Sequence, residues 1–142
     1  MQAGVEWLVD AVGCAPETLR SVRTIRAVCG RIIADLNLHV VGEGQVHQFP
    51  GAAGITALYL LTESHLACHT YPEHGLATFN LHCCRERTAW PWEVELALWL
   101  GSQSVMVRCL PRGLNVVESD RIELGGESAG LSSSASAMGG EL

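Results

Sequence analysis

With 142 residues, 48% of them hydrophobic, the chain carries enough apolar material for one core, and a single domain is the natural expectation. A formal charge of −6 and a pI near 5.4 leave no basic cluster to neutralise phosphates, which argues against nucleic acid and for a small-molecule substrate. No apolar run reaches the roughly 18 residues of a membrane span, and Glu6 and Asp10 follow no basic leader, so a cytoplasmic protein without a membrane partner is expected.

Residues 1–13 mix apolar side chains with two acids and read as a strand. From Pro16 the pattern changes. Leu19, Val22, Ile25, Cys29, Ile32, Ile33 and Leu36 recur at three- and four-residue spacing, with Arg20, Arg23 and Arg31 between them, and predict one long amphipathic helix. Pro16 suits its first turn, Glu17 its positive end, and Asn37 a stop. Residues 38–41 read as a strand, Gly42-Glu43-Gly44 as a turn, and residues 45–49 as a short returning strand ended by Pro50. After a corner of small residues at 51–54, residues 55–61 have the composition of a buried strand.

The stretch from Thr62 to Cys84 concentrates the reactive side chains. Two strand-like segments flank Tyr71-Pro72-Glu73-His74-Gly75, a turn sequence, so a hairpin is expected. Strand alternation places Ser64, Leu66, Cys68 and Thr70 on one face and His65, Ala67 and His69 on the other. On the returning strand Thr78, Asn80, His82 and Cys84 share a polar face opposite Phe79, Leu81 and Cys83. Residues 85–88 form a polar loop, Pro91 opens a second helix that ends at Gly101, and residues 104–110 alternate as a further strand. Residues 1–124 are expected to form the domain, and residues 125–142, rich in Gly, Ser and Ala, a disordered tail.

These elements predict an α+β fold, an antiparallel β-sheet with two helices on one face. The other face needs cover, so a sheet-to-sheet homodimer giving an α/β/β/α sandwich is expected.

Two counts narrow the chemistry. All nine basic residues are arginines, so pyridoxal phosphate cannot be held as a Schiff base within this chain. Imine chemistry on an amine would need a carbonyl from elsewhere. The six cysteines, 14, 29, 68, 83, 84 and 109, are expected mostly as reduced thiols. His65, His69, His74 and His82 with Cys68, Cys83 and Cys84 invite a zinc reading, but only His65 and His69 have ligand-pair spacing, and no metal is expected. A Ser-His or Cys-His hydrolase is a further option, although no Gly-x-Ser-x-Gly elbow surrounds Ser64.

The string Thr62-Glu63-Ser64-His65-Leu66-Ala67-Cys68-His69-Thr70-Tyr71-Pro72-Glu73-His74-Gly75 closely resembles the self-cleavage segment of the prokaryotic S-adenosylmethionine decarboxylases. The likeness continues from Ala77 to Cys84, extends more weakly to His47-Gln48-Phe49-Pro50 and the first helix, and covers roughly residues 16–110. It implies a proenzyme that cuts itself between Glu63 and Ser64 into chains 1–63 and 64–142, with Ser64 becoming a covalent pyruvoyl cofactor. That group is the carbonyl which the missing lysine calls for. The resemblance further implies that His69 assists processing with Thr56 in support, and that Cys84 returns a proton during turnover. Phe49, Leu66, Tyr71 and Glu73 match substrate-binding positions. The implied product is the decarboxylated aminopropyl donor of spermidine synthesis, made by a homodimer of processed protomers. Two departures stand out: Gly4-Val5-Glu6-Trp7 replaces a Gly-x-His, and Tyr71 replaces a Trp. The same scaffold in relatives acting on ornithine or arginine is the first alternative, and an unprocessed, non-catalytic subunit partner the second.

Overall fold

Side-chain alternation decides which face of each strand enters the core. Along β3 (Ile55–Leu61), Ile55, Ala57, Tyr59 and Leu61 are buried while Leu58 and Leu60 are exposed. The same period runs through β1 (Gly4–Val12), where Val5, Trp7, Val9 and Ala11 point inward, and through β5 (Leu76–Cys83), where Ala77, Phe79, Leu81 and Cys83 do so. With β2 (Gln45–Gln48), β4 (Ser64–Tyr71) and β6 (Ser104–Arg112), these strands form one antiparallel sheet in the order β2-β3-β4-β5-β1-β6 in the computed structural model, which describes residues 3–113. Pro111 is accommodated because β6 is an edge strand, whose outward backbone needs no ladder donor. The expected tail at 125–142, and the end of the expected domain beyond residue 113, lie outside the described residues.

The helices cover the inward face. Ile25, Val28, Cys29 and Ile32 of α2 (Val22–Asp35), and Leu96 and Leu100 of α3 (Trp92–Leu100), share one cluster with the inward strand residues. Trp92 packs on Phe79 with ring centroids 5.8 Å apart and on Trp90 at 5.1 Å. Gly101, in the left-handed region at φ 68°, closes α3 as its sequence position predicts.

Two expectations are corrected. The single long helix is two: α1 (Pro16–Leu19) ends at Arg20, and Ser21, extended at φ −93° and ψ 104°, caps α2 by accepting from Thr24 N at 3.1 Å. Gln48 Nε2 donates to the Arg20 carbonyl at 2.7 Å, so the break is bonded by the end of β2, 28 residues further along the chain. The strand expected at 38–41 reduces to an isolated bridge between Val40 and Leu61. Asn37 at φ 55° and Gly42 at φ 72° turn the chain on either side of it, leaving no length for a ladder. The Tyr59 ring fills the space at Gly44, where a Cβ would come within 2.1 Å of it.

Candidate active site

The Thr62-Glu63 pair is the two-residue connection between β3 and β4, with Leu61 directly opposite Ser64. The expected scissile bond, Glu63 to Ser64, therefore lies where a hairpin turn meets its second strand. Cys84 N donates to the Glu63 carbonyl at 3.1 Å, which polarises the carbonyl in the direction a nucleophile would exploit. The Ser64 hydroxyl is buried and has no hydrogen-bond partner among the described residues. Its cross-strand neighbour is Cys83, whose thiol is pushed up mainly by burial, with Arg87 and the Ser64 hydroxyl opposing. The two side chains feel each other electrostatically without reaching hydrogen-bond geometry. Conversion to a pyruvoyl group removes this hydroxyl, leaving a methyl at Cβ and a ketone at Cα. Because the hydroxyl has no partner, its loss breaks no side-chain hydrogen bond, so the residues present fit a pyruvoyl group at position 64.

A cavity of about 300 Å³ opens beside this turn, with Asn37, His39, Glu63, Ser64, Arg85 and Arg87 on its wall. Arg85 pairs with Glu63 Oε1, and Arg87 Nη2 approaches Oε2 at 3.4 Å. Arg87 is also tied to the end of α2, donating from Nη1 to the Leu36 carbonyl at 3.0 Å. Nothing in the sequence distinguishes these arginines from those of an ordinary polar loop, and the reading from sequence missed them.

The remaining expected residues gather at the other end of the same hairpin. Thr56 Oγ1 and His69 Nδ1 are 2.9 Å apart, and both line a cleft of about 370 Å³ with Phe49, Tyr71 and Glu73. Its floor is held by Thr70, whose buried hydroxyl accepts from Ile55 N at 2.9 Å and donates to Leu19 O at 2.8 Å. Phe49 and Tyr71 expose their rings, and Glu73 is half-exposed with His74 Nε2 4.0 Å away. Leu66, expected to contact substrate, is 0% exposed, lies in the core and lines neither cleft.

Within one chain the two clefts stay apart. Five residues of extended strand separate Ser64 from His69, a span of about 16 Å. Cys84, in contrast, stands beside the scissile turn, exposed, while Cys83 faces the core, as alternation predicts. All six cysteines are free thiols. Among the described residues no group of three His, Cys, Asp or Glu side chains is placed to hold a metal, and no helix is long and apolar enough to cross a membrane.

The open face of the sheet carries a second polar network that sequence reading did not connect. His65 Nε2 meets Asn80 Oδ1 at 3.0 Å, and Asn80 Nδ2 donates to Glu6 Oε1 at 2.7 Å, which orients the amide. An amide oxygen only accepts, so His65 carries its proton on Nε2. Arg112 pairs with Glu6, and the His82 ring stacks on His65 with centroids 5.5 Å apart. The hydrogen bond from Asn80, followed by Arg112, holds the Glu6 carboxyl below the usual range against the opposing effect of burial. Glu6 is the residue that departs from the resembled Gly-x-His, and it is bonded into a different set of partners here.

Comparison with known proteins agrees with this architecture. The family model described as S-adenosylmethionine decarboxylase matches residues 5–113. The chain is 35% identical over 111 residues to the S-adenosylmethionine decarboxylase proenzyme of Symbiobacterium thermophilum, covering 78% of this chain and 83% of the relative. It is 31% identical over 125 residues to the proenzyme of Picrophilus torridus, covering 84% and 91%. The crystal structure of the adenosylmethionine decarboxylase from Aquifex aeolicus VF5 superposes with a TM-score of 0.66 at 25% identity, covering 80% of this chain and 92% of that one. A match spanning nearly the whole described fold, with relatives above 30% identity, shows that this chain belongs to the S-adenosylmethionine decarboxylase family.

Proposed function

We propose that the chain is a self-processing S-adenosylmethionine decarboxylase whose pyruvoyl group arises from Ser64. The decarboxylase activity rests on family membership, and self-processing on the proenzyme names of the relatives. The observation that carries the reading is the Glu63–Ser64 bond in the hairpin turn, its carbonyl already accepting from Cys84 N–H and its hydroxyl unengaged. Nothing among these relatives favours ornithine, arginine or a non-catalytic role.

Processing gives chains 1–63 and 64–142. When present, the pyruvoyl ketone supplies an electrophile for the substrate amine and a sink for the electrons that decarboxylation leaves behind. The exposed thiol of Cys84, on the strand end beside the turn, is placed to deliver a proton. Phe49 and Tyr71 offer ring faces to a flat adenine and a sulfonium, attractions of about 0.5 to 2 kcal/mol, and Glu73 offers an acceptor for cationic or hydroxyl groups.

About 16 Å of strand separates Ser64 from His69 and alternation sets them on opposite faces, so neither reaches the other within one chain; a homodimer whose seam brings the partner's strand up to the turn would unite them. The open face supports it: Leu58, Leu60, Met106 and Leu110 are exposed there among polar residues that include Thr56 and His69. His69 of the partner subunit would then serve the Ser64 of the first. Six free thiols suit the reducing cytoplasm, where we place the protein.

Intact mass spectrometry tests the reading. Freshly folded protein is expected to yield two chains, the larger blocked to Edman chemistry, whereas Ser64→Ala stays at 15.3 kDa. A wild type that behaves as Ser64→Ala does would refute it. Carbon dioxide release measured in parallel on S-adenosylmethionine, ornithine and arginine decides the substrate. A tenfold advantage in kcat/KM for either diamine precursor, about 1.4 kcal/mol, would displace S-adenosylmethionine.

A further inference from the structure

We infer that Arg85 and Arg87 form a binding site for the carboxylate that self-cleavage creates at the end of the first chain. The inference rests on the processing reading above and adds a site to it.

Charge is the first argument. Before cleavage two guanidinium groups face one carboxylate, the Glu63 side chain, and each uses a single terminal nitrogen on it. A guanidinium has five N–H donors, so the pair holds unspent capacity and a net positive charge. Cleavage turns Glu63 into a chain end with two carboxylates, which matches the two arginines. Position is the second. Arg87 is 24% exposed, fixed by its bond to Leu36 O, and near enough to the Cys83 thiol to oppose the upward push of burial. It lies on the same cavity wall as Ser64, and the roughly 300 Å³ beside the turn gives the released end somewhere to settle.

Bond accounting supplies the third. Ser64 Oγ attacks the Glu63 carbonyl carbon, the C–N bond breaks, and the amide becomes an ester with a free amine on residue 64. Loss of the Ser64 α-proton then breaks the bond between Cβ and Oγ. The leaving group is the Glu63 carboxylate, built from its own carbonyl oxygen and the former Ser64 Oγ, and residue 64 is left as dehydroalanine. Water converts its imine tautomer to the ketone and releases ammonia. Negative charge therefore develops on the main-chain group that already accepts from Cys84 N–H, on the residue whose side-chain carboxylate both arginines hold. Opposite charge placed there lowers the barrier to the second step and afterwards retains the chain end.

The test compares the wild type with Arg85→Gln/Arg87→Gln, with the corresponding Lys pair, and with the Gln pair in an uncleavable Ser64→Ala chain. Intact mass is followed over time with and without hydroxylamine, which cuts an ester but spares an amide. The Gln pair is expected to form the ketone at least tenfold more slowly and to accumulate a hydroxylamine-sensitive full-length species. The Lys pair is expected to recover most of the rate. Once processed, the Gln pair should lower Tm more than it does in the Ser64→Ala chain, where no new carboxylate exists. Equal Tm losses in both backgrounds, with unchanged processing and no ester, would show that the arginines only pair the Glu63 side chain. If the Gln pair fails to fold, the exposed Arg85→Gln alone is judged by the same ester accumulation. A wild type that never cleaves would remove the processing reading and the site together, an outcome distinct from cleavage that ignores the arginines.

Discussion

Thr56 Oγ1 stands 2.9 Å from His69 Nδ1, and the two residues face each other directly across the β3 and β4 ladder. A hydroxyl held there by backbone register fixes the imidazole orientation, as positioned acid–base groups require. His69→Ala is expected to slow processing by about 100-fold or more, and Thr56→Val by about tenfold, both read from the fraction of intact chain over time.

If His69 acts across a dimer, one dead variant should rescue the other. In a heterodimer of Ser64→Ala and His69→Ala chains, the first supplies His69 and the second supplies Ser64. The His69→Ala chain is expected to be cut in the mixed dimer, although it stays intact alone. Its continued integrity in an isolated heterodimer would mean that no site is shared.

Cys84 and Cys83 differ by one residue and by the face they occupy. Cys84→Ala is expected to cleave at least in part and to lose decarboxylation. Cys83→Ala should process and turn over, with a packing loss on the order of 1 kcal/mol in denaturant unfolding. Burial raises the Cys14, Cys68 and Cys83 thiols, with the Cys29 thiol adding the largest upward push at Cys68. Iodoacetamide at mildly alkaline pH should therefore label Cys84 and Cys109 before any of these. Early loss of the Cys83 thiol would contradict the assignment of faces.

Thr70 joins three elements through one buried hydroxyl. Thr70→Val strands the Leu19 carbonyl and the Ile55 N–H together, which is expected to cost about 1 to 3 kcal/mol in urea unfolding with an unchanged slope. A neutral outcome would mean that water reaches these groups.

Acid should act on the open face through Glu6. Its carboxyl sits below the usual range in the folded protein, so its contribution is present above the unfolded carboxylate pKa and fades as pH falls through the lower folded value. Glu6→Gln is expected to reduce Tm near pH 7, and the gap to wild type should narrow as acid takes the pH below the lowered carboxyl value of the folded protein. A gap independent of pH would mean that the charge contributes nothing.

What the chain determines by itself is whatever is written at short range. The alternation in residues 55–61 and 76–83, Pro16 and Gly101 at helix ends, and the Glu63-Ser64 string were all readable, because a period of two and a terminal residue are local properties. The helix break was hidden, since Leu19, Val22 and Ile25 keep their spacing through it. Ser21 becomes a cap only where Gln48, from a distant strand, bonds the Arg20 carbonyl. Likewise, proximity in sequence suggested one site in residues 63–84, whereas the rise of β4 carries His69 about 16 Å from Ser64. Conversely, the hairpin turn brings Glu63 onto Arg85 and Arg87 from more than twenty residues away. Local pattern sets which face a side chain takes; which faces meet is decided when strands pair across the sheet, because that pairing depends on residues far apart in the chain.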